Sequence, residues 1–191
     1  MSTPLAQPAD IDLDLATEAA TQLLKALGVC LDDETTAGTP QRMARAYAEL
    51  LTPHPFQPTT FPNDGHYRHL VLQRGIPFRS LCEHHLLPFY GTADLGYLPG
   101  QRIIGLSKLG RLVEAFAARP QVQERLTEQL AAWLSTELNA PGAGVVMRAE
   151  HLCLTLRGVR TPAVQTVTIA LRGTLDTDEQ LRREFLQLTQ S

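Results

Sequence analysis

Apolar residues recur at helical spacing in the first fifty residues, where they predict two amphipathic helices. From Ile11 the apolar positions fall on one helical face, and Gly28 is placed to end the helix. A second helix is predicted in the stretch GTPQRMARAYAELL, with Thr39 as its N-cap and Pro40 at the first helical position. The stripes predicted to be buried are Leu15, Ala19, Leu23 and Leu27 in the first helix and Met43, Ala46, Tyr47 and Leu50 in the second.

Two further helices are predicted in the middle of the chain. The stretch SKLGRLVEAFAARP has apolar residues at i, i+3, i+4 and i+7, and Pro120 ends the pattern. The stretch QVQERLTEQLAAWLSTELN has an apolar residue at every fourth position and is stopped by PGAG. The two predicted stripes are Leu109, Leu112, Val113 and Phe116, and Val122, Leu126, Leu130, Leu134 and Leu138.

Strand patterns occupy the rest of the chain. YRHLVLQRGIPFRS and YGTADLGYLP read as extended segments that Gly75, Pro77 and the CEHH stretch interrupt. GVVMRAEHLCLTLRG and AVQTVTIALRG, joined by VRTP, predict an antiparallel hairpin, and DEQLRREFLQL predicts a terminal helix. This grouping indicates an α+β fold. The proline-rich connector TPHPFQPTTFPNDG suggests that a tail (residues 1 to about 10) and a helical part occupy residues 1–56, with the main domain over 57–191.

Composition narrows the functional classes. The chain has 191 residues, 43% of them hydrophobic, and a net charge of −3 without a basic stripe, which argues against a nucleic-acid partner. The polar N-terminus shows no secretory signal pattern, and no apolar run is long enough for a membrane span. Three widely spaced cysteines make a poor disulfide framework. We therefore expect a cytoplasmic protein in which cysteine serves as a ligand or nucleophile.

Two short motifs together predict a metal site. Cys82 and His85 have C-x-x-H spacing, and Cys153 offers a third donor from a distant strand. In that strand, alternation would place His151, Cys153, Thr155 and Arg157 on one face, with Leu152, Leu154 and Leu156 facing the core. Two thiolates and an imidazole suit Zn²⁺, and three protein ligands leave a fourth position open, as in catalytic sites. Such a position can lower the pKa of a bound water to about 7.

Catalytic metal binding is not the only role that these residue types can take. A buried cysteine is usually a small hydrophobe, and most histidines bind no metal. Zinc could also be purely structural, although that role predicts four ligands. Glu83, beside the predicted ligands, could orient one of them or be an exposed structural acid.

Taken in order, the motifs TPQRMARAYAELL, FRSLCEHHLLPFYG, GYLPGQRIIGLSKLGRLVEAFAARPQVQERLTEQLA, EHLCLTLRGVR and RREFLQL resemble the GTP cyclohydrolase I family over roughly residues 36 to 188. The resemblance implies a zinc-dependent hydrolase that opens the guanine imidazole ring of GTP at C8. It releases formate and forms 7,8-dihydroneopterin triphosphate, the first step of pterin and tetrahydrofolate biosynthesis. It also implies the tunnelling fold (T-fold), an antiparallel sheet with helices packed on one side, closed into barrels by oligomerisation. Family members are homodecamers of two pentamers with active sites at subunit interfaces and one Zn²⁺ per subunit.

The resemblance also assigns roles to single residues. It implies three zinc ligands, named below. His84 would contact the purine imidazole nitrogens, and His151 would act as the acid and base. Ser107 would take part in the later rearrangement. Glu124 would hold guanine, since a carboxylate accepts from both the ring N–H and the exocyclic amine. The ligands are Cys82, His85 and Cys153; Gln123 and backbone groups near Leu106 and Val122 complete the base pocket, and Lys108, Arg111 and Arg157 bind the triphosphate.

Some positions leave questions open. Ser107 could instead be the plain N-cap of a helix starting near Lys108. The chain departs from the family pattern near Val164, Leu175 and Asp176, which bears on local packing and interfaces more than on chemistry. A different purine or pterin could be the substrate on the same fold, but three cations and Glu124 favour a nucleoside triphosphate.

Overall fold

The structure, a computed structural model, describes residues 10–190. Most of the predicted N-terminal tail therefore lies outside the described residues. By its internal contacts the chain divides into two compact units, Ala6–Thr52 and a larger unit that contains Pro53–Ser191. No helix among the described residues combines the length and apolar character needed to cross a membrane.

The smaller unit holds the two predicted helices, α1 (Leu13–Ala26) and α2 (Thr39–Leu51). The Asp12 carboxylate accepts from Leu15 N at 2.9 Å and caps α1, and Gly28 follows its end with a φ of +78°. The predicted N-cap of α2 is wrong: Gly38 is the cap and Thr39 is already helical. The reason is a turn before the helix, in which Thr39 N donates to Thr36 O at 2.9 Å.

The predicted apolar stripe of α1 is not buried. Leu15, Leu23 and Leu27 are exposed, and Ala20 is the buried residue of this helix. The face that packs is shifted by one position, to Ala16, Ala20 and Leu24, so the predicted stripe lies in solvent. In α2 the stripe is half-buried apart from exposed Ala46.

The larger unit is built on a five-stranded sheet in the order β5-β2-β3-β6-β7. All its pairings are antiparallel except the short parallel contact between β2 and β5. The bounds are β2 Val71–Cys82, β3 Pro88–Tyr97, β5 Pro120–Gln121, β6 Gly142–His151 and β7 Gln165–Gly173. The predicted β6–β7 antiparallel pairing is confirmed.

β2 does not break at Gly75 and Pro77 as the sequence predicts. The register shifts between Gln73 and Ile76, where Gly75 has a φ of +65°, and the ladder with β3 then resumes. β5 contacts β2 only at Leu81 and Cys82, so Pro77 lies where the missing N–H is tolerated. The connector also contains a strand that the sequence pattern missed: β1 (Thr60–Pro62) pairs antiparallel with β4 (Arg102–Ile104).

One face of the sheet is covered by α3 (Leu106–Ala117) and α4 (Gln123–Glu137). The predicted α3 stripe is fully buried, and so is the predicted α4 stripe except for half-buried Val122. These helices therefore form the core as predicted, because each apolar stripe meets the apolar face of the sheet.

The expectation of helices on one side only is wrong. After the short α6 (Thr174–Thr177), the terminal α7 (Glu179–Thr189) packs on the opposite face. Phe185 lies against Gly96 and Gly144, where an added Cβ would come within 2.8 Å of its ring. Leu175, one of the atypical positions, is buried in the same cluster. Asp176 lies 4.0 Å from Arg182, and Val164 is exposed.

Candidate functional site

The sheet topology brings the CEHH stretch and the segment around His151 and Cys153 together at one end of the strands. β2 and β6 are both antiparallel to β3, so they run in the same direction and their C-terminal ends lie at the same end of the sheet. Ser80, Phe89 and His151 form one row across the three strands. Cys82 and Cys153 each follow this row by two residues, which places both thiols beyond the same end of the sheet.

Cys82, His85 and Cys153 form a three-donor cluster whose ligand atoms all lie within 4.8 Å of one another. Cys82 Sγ is 3.7 Å from His85 Nδ1 and 4.0 Å from Cys153 Sγ. Tetrahedral zinc with bonds of about 2.3 Å to sulfur and about 2.0 Å to nitrogen would set these separations at roughly 3.5 and 3.8 Å. The donor set and its spacing therefore fit a zinc ion, with Nδ1 as the histidine ligand atom.

Cys153 reaches this cluster by a different route from the predicted one. β6 ends at His151, and Cys153 lies in a single helical turn, α5 (Leu152–Thr155). Strand alternation therefore does not apply beyond His151, and Leu156 is exposed rather than in the core. The turn forms because the chain leaves the sheet where β3 begins at Pro88, so no ladder partner remains beyond that row.

The thiol of Cys153 has a pKa above its ordinary value. Burial raises its pKa, and the nearby Cys82 raises it further, while the charge of Arg157 opposes both. Zinc binding would therefore displace a proton from this thiol. Arg157 is exposed, and its charge is close enough to lower the pKa of the Cys153 thiol.

Glu83, which the sequence left without a role, is tied to the start of α4. Its carboxylate forms an ion pair with Arg125, and Arg125 Nε donates to Gln121 Oε1 at 3.0 Å. Gln121 is buried and donates in turn to Phe116 O at 2.9 Å, while Glu83 N donates to Gln121 O at 3.0 Å. The turn that carries Cys82 and His85 is thus fixed to β5 and α4 through Glu83.

His84 lies in the same turn, and its ring centroid is 6.3 Å from that of His85. Its side chain is largely exposed, and Nε2 lies 3.9 Å from the Glu83 carboxylate. It is therefore available to a molecule that approaches from solvent. Its predicted contact with the purine stays a prediction.

His151 is held on two sides. Its ring stacks on Phe89 with a centroid distance of 4.6 Å and an interplanar angle of 3°, and Nε2 lies 2.7 Å from Gln123 Oε1. Burial lowers the pKa of His151, and the carboxylate of Glu124 partly opposes this shift. Sequence reasoning missed Phe89, because an apolar residue at the start of a strand carries no signal of this contact.

The start of α4 places the predicted guanine-binding residues beside His151. Val122 is the N-cap, Gln123 is buried, and Glu124 is exposed in the first turn. Glu124 is thus free to accept hydrogen bonds from a ligand, and the helix N-terminus favours a negative charge there. The side chain of Gln123 is instead occupied by contacts within the protein.

The described residues of one chain do not bring the start of α3 to this cluster. α3 runs along β2 in the same direction, since Gly110 packs near Ile76 and Ala117 O accepts from Ser80 Oγ at 2.7 Å. Its first turn thus lies roughly 16 Å further from the metal end than its last residue does. Ser107 is not the N-cap, because Gly105 holds that position. The residues left distant are Leu106, Ser107, Lys108 and Arg111.

The profile of the GTP cyclohydrolase I family matches residues 16–190. The chain belongs to this family. It is 48% identical over 178 residues to GTP cyclohydrolase 1 of Aquifex aeolicus (strain VF5), covering 93% of this chain and 97% of the relative. It is 44% identical over 186 residues to GTP cyclohydrolase 1 of Thermoanaerobacter pseudethanolicus (strain ATCC 33223 / 39E), covering 95% and 98%. The family predicted from the motifs is thereby confirmed, and with it the assignment of the chain as an enzyme.

Among solved structures, the archaeosine synthase QueF-Like in the apo form matches with a TM-score of 0.44 and 17% identity. The match covers 55% of this chain and 93% of that one.

Proposed function

We propose that this protein is a cytoplasmic GTP cyclohydrolase I that binds one Zn²⁺ per subunit at Cys82, His85 and Cys153. Its reaction is hydrolytic opening of the guanine ring of GTP at C8, with release of formate and formation of 7,8-dihydroneopterin triphosphate. The catalytic domain is residues 57–191. The observation that carries the proposal is the open three-donor cluster beside two histidines that do not ligate, in a chain of this family.

Zinc bound to these three ligands would supply a Lewis acid and a water nucleophile near neutral pH. The chain's own residues position the base beside it. Glu124 accepts hydrogen bonds from the guanine N–H and exocyclic amine, which fixes the purine over the end of β6. His84 approaches the imidazole nitrogens of guanine from the solvent side, and His151 moves a proton at the ring atoms that open.

The triphosphate and the later cyclisation need residues that one chain keeps distant. Arg157 lies on the metal side, while Ser107, Lys108 and Arg111 lie toward the other end of α3. Lys108 and Arg111 are one turn apart and can face one polyanion. We therefore place α3 of a second copy at the metal end of the first, so that each active site spans a subunit interface.

The sheet offers an edge for this assembly. β7 has no partner strand on its outer side within residues 10–190, and its Val167 and Ile169 are 52% and 50% exposed. An uncovered apolar edge favours pairing with another chain. A closed ring of such pairings would complete a barrel, which supports the proposed decamer of two pentamers.

The direct test incubates the zinc-loaded protein with GTP, oxidises the product and measures neopterin fluorescence together with formate. Turnover of GTP with equimolar formate is expected. His151→Ala should keep the zinc and lose turnover, whereas Glu124→Ala should lose GTP binding with an unchanged circular dichroism spectrum. No turnover by protein that contains about one zinc per chain would refute the proposal.

A further inference from the structure

Gln123 lies in a buried polar cluster between α4, β6 and β7. Its side chain is 1% exposed, and every polar atom of its amide has a partner. Nε2 lies 3.2 Å from Met147 O, 3.0 Å from Thr166 O and 3.1 Å from Thr168 Oγ1. Oε1 lies 2.7 Å from His151 Nε2.

These partners fix the orientation of the amide. The carbonyl oxygens of Met147 and Thr166 can only accept, so the group that faces them must be the amide nitrogen. A flipped amide would place Oε1 against two carbonyl oxygens and leave its own N–H groups without them. The oxygen of Gln123 therefore faces His151.

The orientation of the amide fixes the tautomer of His151. An amide oxygen has no hydrogen to give, so the 2.7 Å contact requires that His151 Nε2 carries a proton and donates it. In the neutral ring the other nitrogen, Nδ1, then holds the lone pair. Among the described residues Nδ1 makes no hydrogen bond, and stacking on Phe89 holds the plane of the ring.

We propose that Gln123 is a positioning residue: its Oε1 accepts from Nε2–H of His151, so that the ring nitrogen left to exchange a proton with the substrate is Nδ1. This inference rests on the proposed function, since it assigns an atom to the proton transfer there. It also replaces the predicted role of Gln123 in the guanine pocket, because both ends of its amide are already occupied inside the protein.

The first test needs no variant and no turnover. Long-range ¹H–¹⁵N correlation spectra of zinc-loaded protein labelled at its histidines distinguish the two neutral tautomers, and His151→Asn assigns the signal. The Nε2–H pattern is expected for His151. An Nδ1–H pattern would overturn the inference even if the wild-type enzyme makes formate from GTP.

The second test separates positioning from substrate binding. Gln123→Met keeps the volume but removes the acceptor, and should lower kcat about 100-fold with KM within about twofold of wild type. It should also shift the His151 signal away from the Nε2–H pattern. The matched control is Thr127→Val, since Thr127 Oγ1 donates to Gln123 O at 2.7 Å in the same cluster without touching His151. It should leave kcat and the His151 signal unchanged.

Zinc content and circular dichroism establish that each variant is folded. A raised KM with unchanged kcat in Gln123→Met would return Gln123 to the guanine pocket and refute the positioning role. Absence of GTP turnover by the wild-type enzyme would refute the proposed function instead, and the tautomer measurement would still decide the state of His151.

Discussion

Two polar clusters of the larger unit, one in the middle of β3 and β6 and one at the ends of β2 and β6, differ in how completely their polar groups are satisfied. In the middle of the strands Arg148 Nη1 donates to Asp94 Oδ2 at 2.7 Å, and its other nitrogen donates to Thr189 O. Gly75 N donates to Asp94 Oδ1 at 2.7 Å. In the second cluster, Cys82, His85 and Cys153 contact one another, and within residues 10–190 the only hydrogen bond of the His151 ring is made by Nε2.

The difference separates a cluster that stabilises the fold from a cluster that can bind a metal and a substrate. Asp94 is 4% exposed, yet both of its oxygens have partners, so the cluster joins the β2 bulge, β6 and the end of α7 without needing a ligand. The other cluster is half-open, and a bound metal and substrate would complete it. Buried polar groups therefore mark a functional site where their satisfaction is incomplete.

The largest effect is expected from Cys153→Ala, which removes a donor from the open cluster. Two donors hold zinc poorly, so the variant should lose the metal and lower turnover roughly 1,000-fold or more. Metal analysis and the formate assay measure both. Cys30→Ala is the control, because Cys30 is an exposed thiol of the smaller unit. Retention of zinc by Cys153→Ala would show that the cluster is not the metal site.

The next effect tests whether the open cluster is completed by a second copy. Cys153→Ala and the double variant Lys108→Ala/Arg111→Ala are each expected to be nearly inactive. Co-expressed with different tags and purified by both tags, they should regain about a quarter of wild-type activity, since random assortment gives that share of intact sites. Activity no higher than the sum of the separate variants would place both groups in one chain.

The closed cluster should respond in stability rather than in chemistry. Asp94→Leu leaves the Arg148 guanidinium without its carboxylate in a largely buried position, so the free energy of unfolding should fall by about 3 kcal/mol. Denaturant titration measures it, and zinc content and kcat of the folded protein should not change. The double variant Asp94→Leu/Arg148→Met should be less destabilised than the single one. A large loss of kcat with unchanged stability would show that this cluster is functional.

The smallest effect concerns the ion pair of Glu83 and Arg125, which holds the turn between Cys82 and His85 to α4. Arg125→Met removes the partner of Glu83 and loosens the metal-binding turn, which should weaken zinc affinity about tenfold. Competition with a chromogenic chelator measures the affinity. Arg183→Met, which removes an exposed pair with Glu179 on α7, is the control and should change nothing. Equal zinc affinity in Arg125→Met and wild type would show that the Glu83–Arg125 pair does not support the metal site.

Sequence reasoning was accurate where one periodicity governs a whole element. Leu109, Leu126 and Leu130 are fully buried because α3 and α4 each present a single apolar stripe to the sheet. It also selected the three residues that form the donor cluster, since C-x-x-H spacing does not depend on the exact path of the chain. The strand after His151 was wrong because the end of a ladder is set by the partner strand, not by the alternation of residues.

The contacts of Gln123 and Arg125 could not be predicted for a related reason. Gln123 Nε2 meets backbone oxygens of β6 and β7, and any sequence offers such oxygens at every residue. The Glu83–Arg125 pair joins residues 42 positions apart, and only the short parallel β2–β5 contact brings them together. Tertiary pairing, rather than local pattern, decides such interactions.

The measurement that tests the central claim most directly uses GTP labelled with ¹³C at C8 and zinc-loaded enzyme. We expect the label to appear in formate, in equal amount to the dihydroneopterin triphosphate formed, and neither product to appear with Cys153→Ala. Label that stays in the purine product, or formate release that is equal in the zinc-free variant, would contradict the proposed zinc-dependent ring opening.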